Sequence, residues 1–375
     1  MIEQKMKIFL LSDANSVHTI KWVKGLTEKG VHIALWSIAK PKDGIYEGIP
    51  NLKIYYSAIS QERFNWYKKA KYLSLLTFLK RCIRSYQPDI VHSHYASSYG
   101  LLGALCNYHP FIVSVWGSDI YDFPNKNGIF SALTRFVLRR ADKVLSTSHA
   151  MAEEASKYTS KEIEVTPFGI DLDTFKPLPK TGTDFVVGTI KTLEEKYGLH
   201  YLIEAFKIFS TNSTSGKIKL IIVGGGSQEQ QLKQQARDLG ISHLCDFIGP
   251  VPYEEVPHYH NQIDVCVCLS NNESFGVAAI EASATERPVV VSDVGGLPEV
   301  IVDNVTGVVV PAQDPKSAAE AIKALHDNPD LRVKMGKAGR QRVIEQYDWN
   351  KNVDKMIRIY NDLTLTRIGQ RYNAK

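Results

Sequence analysis

Short apolar runs alternate with longer amphipathic stretches along nearly the whole chain. The runs at 7–11, 31–36, 90–94, 112–116, 143–147 and 163–166 are of strand length, and the segments between them follow a helical period. A second series falls at 185–188, 219–223, 245–248, 264–269, 289–292 and 307–310. Strands interleaved with helices in this way predict parallel sheets covered by helices. The pattern therefore predicts an α/β chain of two Rossmann-like, doubly wound units. Ligands are expected at the carboxyl ends of the strands and in a cleft between the units. Lys176-Pro177-Leu178-Pro179-Lys180-Thr181-Gly182 reads as the linker, rich in Pro and Gly. The expected domains are 1–178 and 179–349, followed by a C-terminal helix over 350–375.

Composition agrees with this layout. A chain of 375 residues, 44% of them hydrophobic, can bury two cores. No apolar run approaches the roughly 20 residues that span a bilayer. The first forty residues lack a signal-peptide pattern. Five cysteines show no metal spacing, and Cys266 and Cys268 alternate in an expected strand as small buried side chains. A reduced, cytoplasmic setting is expected. Charge is uneven: residues 1–180 hold 24 Lys+Arg against 16 Asp+Glu, a net of +8, and the remainder hold 21 against 24, a net of −3. A basic first half favours an anionic membrane surface or a phosphate-bearing acceptor. No nucleic-acid motif accompanies the charge, so nucleic acid is not an expected partner. The mixed aromatic and basic stretch 63–76 reads either as a helix resting on the inner face of a membrane or as a core-facing helix with a solvated side.

The most informative stretch is Asn271-Asn272-Glu273-Ser274-Phe275-Gly276-Val277, continuing to Glu281. It places Glu273 in a loop after a strand and Glu281 about two turns inside the next helix. Between them lie the free N–H groups of a helix start, a natural phosphate site. Carboxylates accept hydrogen bonds from sugar and ribose hydroxyls, so this arrangement suits a sugar nucleotide. Taken alone, the pair is equally compatible with two solvated glutamates. Lys191 and Lys196 follow the strand at 185–188 and can neutralise a diphosphate leaving group; in isolation they are ordinary surface lysines. Val223-Gly224-Gly225-Gly226-Ser227 ends another strand but lacks the further glycine of a dinucleotide fingerprint.

Together these motifs resemble the retaining nucleotide-sugar glycosyltransferases of the family-four type, which have the GT-B fold and a Glu-x7-Glu motif. The resemblance runs from about residue 140 to 350, with its elements in the family's order. It implies that Glu273 binds the donor sugar, Glu281 the ribose, and Lys191, Lys196 and the Phe275-Gly276-Val277 helix start the phosphates. Lys191 stands where the family usually has Arg, so charge is kept while a bidentate fork becomes a point charge. Gly224 and Gly225 become a close-approach loop near the donor, and Val251 lies where the family reads the nucleobase. Gly295-Gly296-Leu297-Pro298-Glu299 matches a further family element, and its glycines permit close backbone approach. Pro167-Phe168-Gly169-Ile170-Asp171 matches its junction turn, which argues against Asp171-Leu172-Asp173 as a metal site. Neither a metal nor a resident cofactor is expected, and the nucleotide sugar is the co-substrate. The resemblance also implies that the terminal helix crosses back to the first domain.

Matches in the first half are looser. Asp13, Ser16 and His18 occupy the loop that often carries a Gly-Gly pair in the family. Trp116 replaces the family's histidine and is either a sugar-stacking platform or a core residue. Asp119 is a candidate polar contact. His94 is expected at the cleft edge, with burial as a structural histidine the alternative. The expected activity is transfer of a hexosyl group from a UDP- or GDP-sugar to a lipid-linked or oligosaccharide acceptor in surface-polysaccharide or glycolipid synthesis. The rival readings are a two-domain sugar-nucleotide 2-epimerase and a catalytically silent nucleotide-binding protein.

Overall fold

The computed structural model describes residues 5–57, 69–212 and 217–373. Among these, thirteen strands form two sheets in which every pairing is parallel. The first contains β1 (Lys7–Leu11), β2 (His32–Ser37), β3 (Leu52–Tyr56), β4 (Ile90–His94), β5 (Phe111–Val115), β6 (Lys143–Ser146) and β7 (Ile163–Val165). Their order is β3-β2-β1-β4-β5-β6-β7. The second contains β8 (Phe185–Ile190), β9 (Ile218–Val223), β10 (Cys245–Gly249), β11 (Val265–Cys268), β12 (Val289–Ser292) and β13 (Gly307–Val310), in the order β10-β9-β8-β11-β12-β13.

Central strands such as β1, β5 and β12 are buried on both faces, which is why they read as largely apolar runs, whereas β4, Ile-Val-His-Ser-His, is as buried but carries polar side chains at its end. Every strand expected from those runs is present to within two residues. The pattern missed β3. It is an edge strand of sequence Leu-Lys-Ile-Tyr-Tyr with only partly buried side chains, so no buried run marks it. In each sheet the winding reverses beside the first strand, between β1 and β4 and between β8 and β11. The crevice outside such a reversal is where doubly wound sheets bind ligands.

The chain divides into two compact units, Met1–Thr166 with Asn352–Lys375, and Pro167–Lys351. The first boundary therefore precedes the Pro/Gly stretch at 176–182 instead of falling within it. Residues 167–178 are tied into the second unit. Ile170 exchanges backbone hydrogen bonds with Tyr347 and Trp349, Phe175 is fully buried, and the Leu178 N–H donates to Asn261. The last helix, Trp349–Asn373, runs into the first unit, where Tyr360 bonds His92 of β4. Residues 63–68 of the basic aromatic stretch lie outside the described residues, and Lys69–Tyr86 is a helix. Among the described residues no helix is long and apolar enough to cross a membrane.

Candidate functional site

Lys191 directly follows β8 and Glu273 lies in the loop after β11, so both flank the switch point of the second sheet. The Lys191 ammonium donates to Glu273 Oε2 at 2.5 Å, and Glu273 is only 8% exposed. Burial by itself lowers the Lys191 pKa; Glu273, then Tyr197 and Cys268, outweigh it and hold the group above the usual lysine value. The Tyr197 ring meets both cations, with Lys191 Nζ 4.2 Å and Lys196 Nζ 4.9 Å from its centroid. Lys196 itself is exposed. Its carbonyl accepts the N–H groups of Asn271 and Asn272 at 2.8 and 3.2 Å, which joins the lysine loop to the glutamate loop.

Two glycines explain how these loops approach so closely. Gly224 has φ +134°, and a Cβ there would fall 2.0 Å from the Lys191 carbonyl oxygen. Gly295 has φ +54°, and a Cβ there would fall 2.0 Å from the Glu273 carbonyl oxygen. The close approach expected of both glycine motifs is thus, first of all, to the backbone that carries the two charged residues. Gly225 contributes its carbonyl to the Leu193 N–H at 3.0 Å, and half-buried Val251 sits in the loop after β10.

Gly276 caps the helix Val277–Ala284 with φ +106°, and no side chain caps the helix start. Its first-turn N–H groups can therefore serve an anion. The Phe275 ring is buried, edge-on to Phe168 and Tyr347, so this residue offers a ligand only its backbone. Glu281 is the fifth residue of that helix, little more than one turn from its start, which is nearer the phosphate site than the expected two turns. It is 5% exposed. Its Oε1 accepts from the Tyr253 hydroxyl at 3.3 Å, and Oε2 lies 3.6 Å from His260 Nε2. Burial, then Glu281, raises the Tyr253 pKa well above the usual phenol value.

In the first unit the expected residues gather at the β1/β4 switch point. Ser12, after β1, shares a hydrogen bond of 2.9 Å with His94 Nδ1 at the end of β4. The His94 ring lies 4.0 Å from Trp116, and His18 meets the same indole edge-on at 5.8 Å. Trp116 and His94 are both buried, and burial, then His92 and His18, holds His94 well below the usual histidine value. Asp119 is buried and accepts the N–H groups of Ala96, Trp116 and Gly117, so its carboxylate fastens loops together within the fold. Burial raises its pKa despite those bonds. Asp13 bonds the Asn15 N–H at 3.0 Å, and Ser16 starts the helix Val17–Glu28 without capping it through its side chain. His92, also buried, is held between Tyr360 and Ser114 at 2.8 Å each, with its pKa lowered by burial to about 3. Asp171 accepts from the N–H groups of Asp173 and Thr174, a turn-forming role.

Two family models match the chain: that of glycosyl transferases group 1 over residues 172–342, and that of glycosyl transferase 4-like proteins over residues 7–148. The chain belongs to the group 1 glycosyltransferases. The glycosyltransferase is 29% identical to the D-inositol 3-phosphate glycosyltransferase of Corynebacterium urealyticum over 59% of its own chain and 56% of that relative, so it spans little more than half the relative's length. Among solved structures it resembles the sucrose-phosphate synthase of Thermosynechococcus elongatus, with a TM-score of 0.83, 20% identity, and coverage of 96% of this chain and 100% of that one. It also resembles Anabaena HepE in complex with UDP-glucose, with a TM-score of 0.80, 18% identity and the same coverage. At such identities the likeness is one of fold, two parallel α/β units of the GT-B type.

Three aromatic residues of the candidate site are not marked by the sequence pattern. Tyr197 lies in the lysine loop itself, and its place directly after Lys196 was an available signal. Tyr253 and His260 are distant from Glu281 in the chain, and no short-range pattern joins them to it.

Proposed function

We propose that this glycosyltransferase moves a hexosyl group, with retention, from a UDP- or GDP-sugar to a lipid-linked or oligosaccharide acceptor. The observation that carries this reading is the pairing of half-buried Lys191 with buried Glu273 at the mouth of the second sheet, beside a helix start that no side chain caps. Lys191, Lys196 and the N–H groups at Phe275-Gly276-Val277 hold the diphosphate. Glu273 binds the donor sugar and Glu281 the ribose. The bond from the anomeric carbon to phosphate oxygen breaks as the acceptor oxygen attacks the same face, and the leaving phosphate takes the acceptor proton. Charge that grows on the diphosphate is stabilised by donors already in place. Two lysines and a helix start supply that counter-charge without a metal.

The first domain takes the acceptor. The basic balance of residues 1–180 supports an anionic acceptor and peripheral contact with an anionic membrane surface. The name of the Corynebacterium relative, an inositol-phosphate glycosyltransferase, points the same way. A nucleoside-diphosphate release assay over a panel of UDP- and GDP-sugars tests the proposal. Release that depends on a glycan or glycolipid acceptor is expected, with anomeric retention in the product by NMR. Interconversion of the sugar nucleotides without acceptor would instead indicate an epimerase.

A further inference from the structure

His260, in the helix Val256–Gln262, is 0% exposed, and neither of its ring nitrogens has a hydrogen-bond partner among the described residues. A buried imidazole without a partner is rare in folded proteins and calls for a physical reason. The Glu281 carboxylate beside it supplies one. Nε2 stands 3.6 Å from Glu281 Oε2, just beyond hydrogen-bonding reach, while the Tyr253 hydroxyl already donates to Oε1 at 3.3 Å. Phe175, itself fully buried, faces both rings, with centroids 5.7 Å from Tyr253 and 6.2 Å from His260. The two donors thus share one apolar wall and address different oxygens of one carboxylate.

We propose that His260 is a positioning residue which, with Tyr253, orients the Glu281 carboxylate and so sets selection of ribonucleoside over deoxyribonucleoside diphosphates. This rests on the reading of Glu281 as the ribose ligand. A carboxylate has about four lone-pair sites. Tyr253 and His260 take one on each oxygen and leave one on each for a vicinal diol. Site hydrogen bonds are often long before ligand binds and tighten in the complex. When the diol engages Glu281, Nε2–H closes on Oε2, and His260 gains the partner it lacks in the free protein.

The test compares affinities by calorimetry for UDP, GDP and ADP, and then for the tightest of these against its 2′,3′-dideoxy analogue. Wild type is expected to prefer the ribonucleotide by more than about tenfold, and Glu281→Ala should bring the ratio close to one. His260→Phe should cut the ratio by about fivefold or more with dideoxy affinity nearly unchanged. His260→Gln, which returns an N–H near the Nε2 position, should restore most of it. Should the phenylalanine variant fail to fold, His260→Met serves the same comparison. A wild-type ratio in the Phe or Met variant, with the Glu281→Ala ratio lost, overturns the positioning role alone. A wild-type ratio in Glu281→Ala overturns the ribose reading and this inference with it.

Discussion

Lys191 and Lys196 lie five residues apart and meet the same tyrosine ring, yet their surroundings differ. Lys191 is paired with a buried carboxylate, whereas Lys196 is exposed. On the proposed role of both lysines in stabilising the leaving diphosphate, replacing either by alanine should lower kcat more than about tenfold. The double variant should lose less than the product of the two, because they act on one diphosphate. Stability should separate them. Lys191→Ala strands the Glu273 charge and should cost up to about 3 kcal/mol in urea unfolding, and Lys196→Ala should cost almost nothing. A double variant with near-normal kcat would place the phosphate site elsewhere. Glu281→Ala should weaken nucleoside-diphosphate binding by roughly 1.5–3 kcal/mol per lost hydroxyl bond, read by calorimetry.

At the scale of elements, the glycines carry the site geometry. Gly295→Ala would drive a methyl group into the Glu273 carbonyl and displace the loop that presents its carboxylate. Activity should fall more than about tenfold and stability should fall with it, since the backbone clash adds to a strain of about 1–2 kcal/mol for alanine at φ +54°. Normal kcat in the folded variant would show that the loop yields without consequence. Such elements were legible to different degrees. The strand positions could be read because central parallel strands are apolar on both faces; β3 could not, because an edge strand keeps polar residues in view. The glycine loops could be read as close approaches, but not what they approach, since Lys191 and Glu273 reach them only through the folded sheet. The contacts of Glu281 with Tyr253 and His260 were hidden for the same reason. Asp119 looked like a ligand group by residue type and position, and only its three backbone donors reveal a structural role.

For the whole molecule, the buried histidines of the first unit set an acid limit. The folded pKa of His92 is about 3, below the unfolded value of about 6.5. The unfolded chain therefore binds more protons in that window, and stability is full above pH 6.5 and falls as pH drops toward 3. Near pH 5 the loss from His92 alone should be about 2 kcal/mol, and His94, also lowered, should add to it. Urea unfolding at pH 7 and pH 5 should show this, and His92→Asn should flatten the dependence. An unchanged slope would mean that His92 is not buried neutral. The catalytic proposal has its own global check: transfer should survive excess EDTA, and loss restored by Mg²⁺ would show that the lysines and helix start do not suffice.

The return of the last helix to the first unit has a consequence for the order in which the protein can be made. The second unit is continuous from Pro167 to Lys351, whereas the first waits for Asn352–Lys375. During synthesis the first sheet emerges before the second, yet His92 has no Tyr360 to bond until the whole of the second unit has followed. The earlier-born half is therefore the later to mature. A premature stop just before Asn352 would leave the second unit whole and deprive His92, in β4 of the first, of its Tyr360 partner.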